Sequence, residues 1–259
     1  LEVFDPNKET LEDLERDGFH LIQSRDGFRF GEDTVLLSWF VSETLRLRQG
    51  SPIRVLELGT NCGAASILLS ARRKDLKIDG VERQKEASRI FERNIVLNDL
   101  SDRVRGFMTD LRDLPTEKVP GNSYDAVFMN PPFRDPKDGP VTSEDKKSTA
   151  LLEARFSMHG DISDFLSCAR KMLTSRGDLF LVDRATTLSS VMKECMKQNI
   201  IPKKITFVHP YAGKDATLFL LSAKKGGKMS GTVITAPLIL RDENGEYTPA
   251  LKKIYNKEE

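Results

Sequence analysis

From residue 53 onward, short apolar runs alternate with amphipathic segments, and this is the most regular feature of the chain. "IRVLEL" (Ile53–Leu58) is apolar at nearly every position, as a strand buried on both faces requires. Segments 77–82, Val104–Met108, Tyr124–Met129 and 178–182 have the same character. Between them, Ala64–Arg72, 84–98, 162–173 and 188–198 carry apolar residues at helical spacing; in 84–98, Ala87, Ile90, Phe91 and Leu97 share one face. Such alternation predicts an α/β fold: a doubly wound, seven-stranded, mostly parallel sheet with helices on both faces. The last two strands, 205–208 and 216–223, have no helix between them and predict an antiparallel hairpin at one edge.

The flanks are less regular. Residues 1–17 are acidic and read as a solvated lead-in. "DTVLLSWFVSETLRLR" predicts a helix from Asp33, a suitable N-cap residue, to about Arg48, closed by Gly50, Ser51 and Pro52. The polar loop 134–149 interrupts the alternation at a length usually reserved for function or disorder. Residues 224–231 read as a flexible basic linker, followed by a tail with a small hairpin about Glu243, Asn244 and Gly245 and a short final helix. The expected organisation is an N-terminal lead-in and helix over 1–50, a catalytic domain over 51–223, and a basic C-terminal extension over 224–259.

Composition narrows the function. The 259 residues are 39% hydrophobic and 31% charged, with a formal net charge of +1, so no global basic field recruits a polyanion. Any nucleic-acid surface must be local. Cys62, Cys168 and Cys195 are odd in number and far apart, which predicts reduced thiols and a cytoplasmic setting. The histidines are scattered, giving no metal spacing. No signal peptide or membrane-length apolar run is read.

Candidate chemistry begins where the first buried strand ends, in "ELGTNCG". A dinucleotide fingerprint needs glycine where Asn61 and Ala64 stand, and a phosphate-binding P-loop needs a Gly-Lys-Ser/Thr that is absent. The segment is closer to the E/D-x-G-x-G-x-G loop of class I S-adenosylmethionine (SAM) methyltransferases, with Asn61 in the middle glycine's place. Asn is the non-glycine residue that best tolerates a left-handed backbone. Glu57, Gly59, Thr60, Asn61, Cys62 and Gly63 are therefore candidate cofactor contacts. Glu82 ends the next strand, where an acidic residue accepts from ribose hydroxyls. Asp110 follows the third strand, placed for an adenine amino group, with Asp113 as competitor.

The fourth strand runs into Asn130, Pro131, Pro132 and Phe133. Two prolines remove two N–H donors and stiffen the backbone, leaving carbonyls fixed as acceptors. Asn130 adds a side-chain acceptor and Phe133 a flat apolar face. The set suits methylation of an exocyclic or amide nitrogen whose lone pair is delocalised. Two accepted hydrogen bonds raise the electron density on that nitrogen, and stacking aligns it.

"GFRFGEDTVLLSWF", "VLELGTNCG", "IDGVERQ", "NIVLNDL", "YDAVFMNPPF" and "ITFVHPYAGKDATLFLLSAKKGG" together resemble the bacterial tRNA1(Val) adenine-N6 methyltransferases, over nearly the whole chain. The resemblance implies SAM as cofactor, an adenine beside the tRNA anticodon as target, and Phe30 and Thr34 near the methionine end of the cofactor. The expected partner is tRNA, bound transiently, with no metal and no membrane, and the chain is expected to be a monomer or weak dimer. Phe133 stands where the adenine enzymes carry Tyr, and Arg155, Phe156 and Ser157 stand where relatives show Arg-His-Glu. Guanine-N2 methylation of rRNA, glutamine-N5 methylation of protein, and an inactive SAM- or RNA-binding module are the alternatives. Basic residues in the last third (Lys203, Lys204, Lys214, Lys224, Lys225, Lys228, Lys252, Lys253) and Lys137, Lys146 and Lys147 in the long loop are candidate phosphate contacts.

Overall fold

The computed structural model describes residues 4–27, 29–46, 51–132 and 161–257. Eleven strands and six helices lie among them. In chain order they are β1 (Glu9–Asp13), β2 (His20–Ser24), α1 (Glu32–Thr44), β3 (Ile53–Leu58), α2 (Ala64–Arg72), β4 (Leu76–Glu82), α3 (Lys85–Leu97) and β5 (Val104–Met108). Then follow β6 (Tyr124–Met129), α4 (Ile162–Met172), β7 (Leu173–Arg184), α5 (Leu188–Lys197), β8 (Ile200–Tyr211), β9 (Leu218–Lys225), β10 (Val233–Ile234), β11 (Leu238–Arg241) and α6 (Pro249–Ile254).

The main sheet runs β10-β8-β9-β7-β6-β3-β4-β5, with β11 also paired to β8. Seven of these strands are the ones the sequence predicts, and the tail adds two short ones, both parallel to β8. The antiparallel pair is present, but β9 inserts between β7 and β8 and runs against both, so β8 is the outer strand of the hairpin. One core lies between the sheet and α1, α2, α3 and α6; a second lies under α4 and α5 on the opposite face. Alternate residues of each strand supply the two cores: Val55, Ala126 and Phe128 face the first, and Leu56, Val127 and Met129 the second.

The N-terminal expectation needs correction. Residues 9–13 form β1, paired antiparallel with β2, and Leu21 and Ile22 of β2 are buried in the first core. Asn94 of α3 and Asn98, its C-cap, fasten the hairpin by taking the place of a neighbouring strand. Asn94 Oδ1 accepts from Ile22 N at 2.7 Å while its Nδ2 donates to Ile22 O at 2.9 Å. Asn98 does the same for His20 N and O, both at 2.8 Å. Arg93 grips the Glu9 carboxylate at 2.6 and 3.0 Å, holding it below the usual carboxylate range. The helix expected from Asp33 begins at Glu32 with Gly31 as its cap, so Asp33 sits inside the first turn.

Candidate active site

The carboxyl ends of β3, β4, β5 and β6 lie along one edge of the sheet, and Gly59, Asn61, Glu82, Asp110 and Asn130 stand there. After Leu58 the chain turns through Gly59, Asn61 and Gly63, with φ of +73°, +50° and +84°. Gly63 has no substitute, because a Cβ there would stand 1.9 Å from the Phe91 ring. Asn61 takes the left-handed conformation that its residue type tolerates. Gly59 N and Thr60 N both donate to Val81 O, at 3.0 and 3.1 Å.

Glu82 closes the loop from the neighbouring strand. Its Oε2 accepts from Asn61 N at 2.9 Å and its Oε1 from Gln84 N at 2.8 Å. Burial raises its pKa, and the backbone donors oppose that rise. The Arg83 backbone adds a third donor, so the carboxylate holds the loop with three of its roughly four lone-pair sites and keeps some acceptor capacity.

Three other loop candidates turn their side chains away. Glu57 is only 3% exposed and faces α2, accepting from Ser66 N at 3.1 Å and from the Ser66 hydroxyl. Burial pushes its carboxyl up to about 8. Thr60 is buried, and the Cys62 side chain lies in the core with its thiol pushed up to about 12 by burial. Cys62 is therefore an inert thiol; its carbonyl accepts from Asn94 Nδ2 at 2.9 Å. Only the backbone of these positions is left for a ligand.

Asp110 caps a short turn (Leu111–Asp113) and is half-buried, accepting from Arg112 N and Nε, both at 2.9 Å. Arg112 holds its carboxyl below the usual range, with Arg83 Nη1 3.8 Å away. Asp113 is exposed on the same turn, so Asp110 is the better placed of the two.

Asn130 leaves β6 on the α1 side of the sheet. Its Nδ2 donates to Asp33 Oδ2 at 3.0 Å and to Thr34 Oγ1 at 3.3 Å. Its Oδ1 is buried and has no hydrogen-bond partner among the described residues. Pro131 is buried and Pro132 half-buried beside it. Thr34 thus joins the cluster, and Asp33, read from sequence only as a helix cap, joins with it. Phe30 does not: it packs on the first core and lines a separate cavity of about 150 Å³ with Val35, Leu68, Arg72 and Tyr255. Phe133, the loop 134–149 with Lys137, Lys146 and Lys147, and the segment 155–157 lie outside the described residues.

Of the eight basic residues picked from the last third, four spend their ammonium groups on the protein. Lys203 donates to Ser230 O, Lys204 to Thr44 Oγ1, Lys225 to Leu173 O, and Lys224 pairs with Asp178 at 2.7 Å. Lys214, Lys228, Lys252 and Lys253 are exposed. The three cysteines are buried and free. Among the described residues there is no group of three or more potential metal ligands, and no helix is long and apolar enough to cross a membrane.

A mostly parallel sheet with a glycine-bearing turn after β3 and an acidic side chain ending β4 is the fold of the class I SAM-dependent methyltransferases, and Asn-Pro-Pro follows β6. The chain belongs to the methyltransferase small-domain family, whose model matches residues 34–206. It is 25% identical to the tRNA1(Val) (adenine(37)-N6)-methyltransferase of Parabacteroides distasonis over 243 residues, 92% of this chain and 95% of the relative. It is likewise 25% identical to the enzyme of that description from Christiangramia forsetii, over 91% of this chain and 92% of the relative. Among solved structures, a predicted O-methyltransferase of Agrobacterium tumefaciens superimposes with a TM-score of 0.67 at 24% identity, covering 87% of this chain and 96% of that one.

Proposed function

We propose that the chain methylates the N6 amino group of an adenine in tRNA, beside the anticodon, with SAM as donor. The observation that carries this reading is the buried, unpartnered Asn130 Oδ1. An acceptor stripped of water and left open costs stability unless a ligand uses it. The donor it suits is an N–H of the target amino group, and the Pro131 carbonyl is the second acceptor in the same stretch. Relatives named for adenine(37) of tRNA1(Val) support the choice of base and RNA.

The residues present fit the cofactor. The backbone of Gly59, Asn61 and Gly63 would line it, Glu82 would accept from a ribose hydroxyl with its remaining acceptor capacity, Asp110 would accept from the adenine amino group, and Thr34 would stand near the methionine end. SAM supplies an electrophilic methyl on a sulfonium. Asn130 and Pro131 draw on the N–H groups of the target and so raise the electron density of its nitrogen. Phe133, close behind in sequence, is the residue proposed to stack on the ring. No general base is needed before transfer, since the proton departs afterwards from a cationic nitrogen. The exposed Lys214, Lys228, Lys252 and Lys253 would contact phosphates without reading sequence.

Guanine-N2 and glutamine-N5 methylation use the same acceptor pair, and Phe133 in place of Tyr favours guanine as the second reading. Asn130→Ala should leave SAM affinity within about twofold and lower methyl transfer about 100-fold or more, as expected for a contact made in the transition state. Unchanged turnover in that variant refutes the mechanism.

A further inference from the structure

The geometry points to Asp33 as the positioning residue that decides which end of the Asn130 amide faces the target nitrogen. The inference rests on the reading of Asn130 as the acceptor for that nitrogen. An asparagine amide has nearly the same shape after a half-turn about its last bond, but the exchange swaps an acceptor for two donors. Only the orientation with Oδ1 toward the target works, because the flipped amide would set its N–H groups against the N–H groups of the substrate.

The surroundings of Asn130 choose between the two. Thr34 Oγ1, at 3.3 Å, is by itself indifferent, since a hydroxyl both donates and accepts, although its donation to Asp33 Oδ1 at 3.4 Å leaves it an acceptor toward Asn130. Asp33 Oδ2, at 3.0 Å, is not: an ionised carboxylate only accepts, so it requires Nδ2 and repels Oδ1. Asp33 is held in place, because its Oδ1 accepts from Thr34 N at 2.8 Å and from the Thr34 hydroxyl at 3.4 Å in the first turn of α1. That turn is itself tied to the tail by Glu32, which takes Arg241 Nη2 at 2.6 Å. A charge-assisted bond on Nδ2 also shifts electron density along the amide toward Oδ1, strengthening the acceptor the site exposes.

Asp33→Asn therefore makes an unusual prediction. Thr34 N–H also reaches Gly31 O at 3.1 Å, but its shorter bond, at 2.8 Å, is to the side chain at 33, so the introduced amide keeps its oxygen there and turns its NH2 toward Asn130. That NH2 is satisfied by the flipped Asn130 side chain, with Asn130 Oδ1 captured and withdrawn from the site. Asp33→Ala only frees the Asn130 amide to sample both orientations. The isosteric variant should lose about 100-fold in kcat on bulk tRNA with labelled SAM, and the truncated one about 10-fold, with KM for tRNA within about twofold in both. A role confined to stabilising α1 gives the reverse order, with Asn better tolerated than Ala.

A second measurement needs neither substrate nor variant at Asp33. In protein labelled with 15N-asparagine, the Asn130 side-chain signal is assigned by its loss in Asn130→Ala. It should show slow hydrogen exchange and a downfield proton. A freely exchanging amide in the wild-type protein overturns the inference, as does full kcat in Asp33→Asn. If instead Asn130→Ala itself keeps full turnover, the reading of Asn130 has failed, and the amide spectrum still reports whether Asp33 holds it. In the Asn130→Ala background, Asp33→Asn should cause no further loss; an additive loss counts against the coupling.

Discussion

Glu57→Gln tests whether the carboxylate beneath the loop is a structural burden or an asset. In the unfolded chain this group ionises near its ordinary value of 4.5, whereas in the fold burial carries it to about 8, despite two hydrogen bonds from Ser66 and aided by the nearby charge of Glu82. Below 4.5 both states are protonated and the group leaves stability untouched. Between the two values the unfolded chain releases its proton and the folded one does not, so stability falls by about 1.4 kcal/mol per pH unit. The loss stops near pH 8, having reached about 5 kcal/mol at most. A glutamine at this position keeps an oxygen for Ser66 and removes the titration, at the cost of about 1–3 kcal/mol for an amide NH2 without a partner. Urea unfolding of both proteins at pH 5.5 and pH 8.5 measures the difference. Relative to wild type, the variant should gain about 3 kcal/mol between the two conditions. A stability difference that does not change with pH refutes the argument.

Other consequences follow from the same geometry. Glu82→Ala leaves Asn61 N and Gln84 N without their acceptor and removes the candidate ribose contact, so calorimetry should find SAM bound about 10- to 100-fold more weakly; unaltered affinity excludes that role. Gly63→Ala combines a left-handed backbone with a collision at Phe91 and should cost about 2–5 kcal/mol in denaturant unfolding. An unchanged midpoint would mean the turn is not as tight as described.

Most of the central sheet is legible in the sequence because its strands are buried on both faces and apolar throughout, as in Ile53–Leu58. The N-terminal hairpin is not, because what buries it lies far away in the chain. Glu9 looks like surface until Arg93 neutralises it, and the outer side of β2 is paired by Asn94 and Asn98, side chains that no strand pattern reveals. β8 outruns the expected 205–208 because Pro202 lies at a register shift, where a strand tolerates proline. In the site, Gly59, Glu82, Asp110 and Asn130 carry signals local to strand ends. Asp33 carries none beyond an acidic residue at a helix start, since its meaning depends on a partner 97 residues away. Glu57 and Cys62 match a loop pattern by position, but which way a side chain points after a strand end is fixed by packing against α2 and α3.

The central claim is the identity of the methylated group. Incubating the protein with labelled SAM and separated tRNA, rRNA and protein fractions, followed by mass spectrometry of the digests, tests it most directly. N6-methyladenosine should appear in the tRNA fraction and be absent when Asn130→Ala replaces the wild-type protein. N2-methylguanosine in rRNA, methylglutamine in protein, or label in no fraction at all would contradict it.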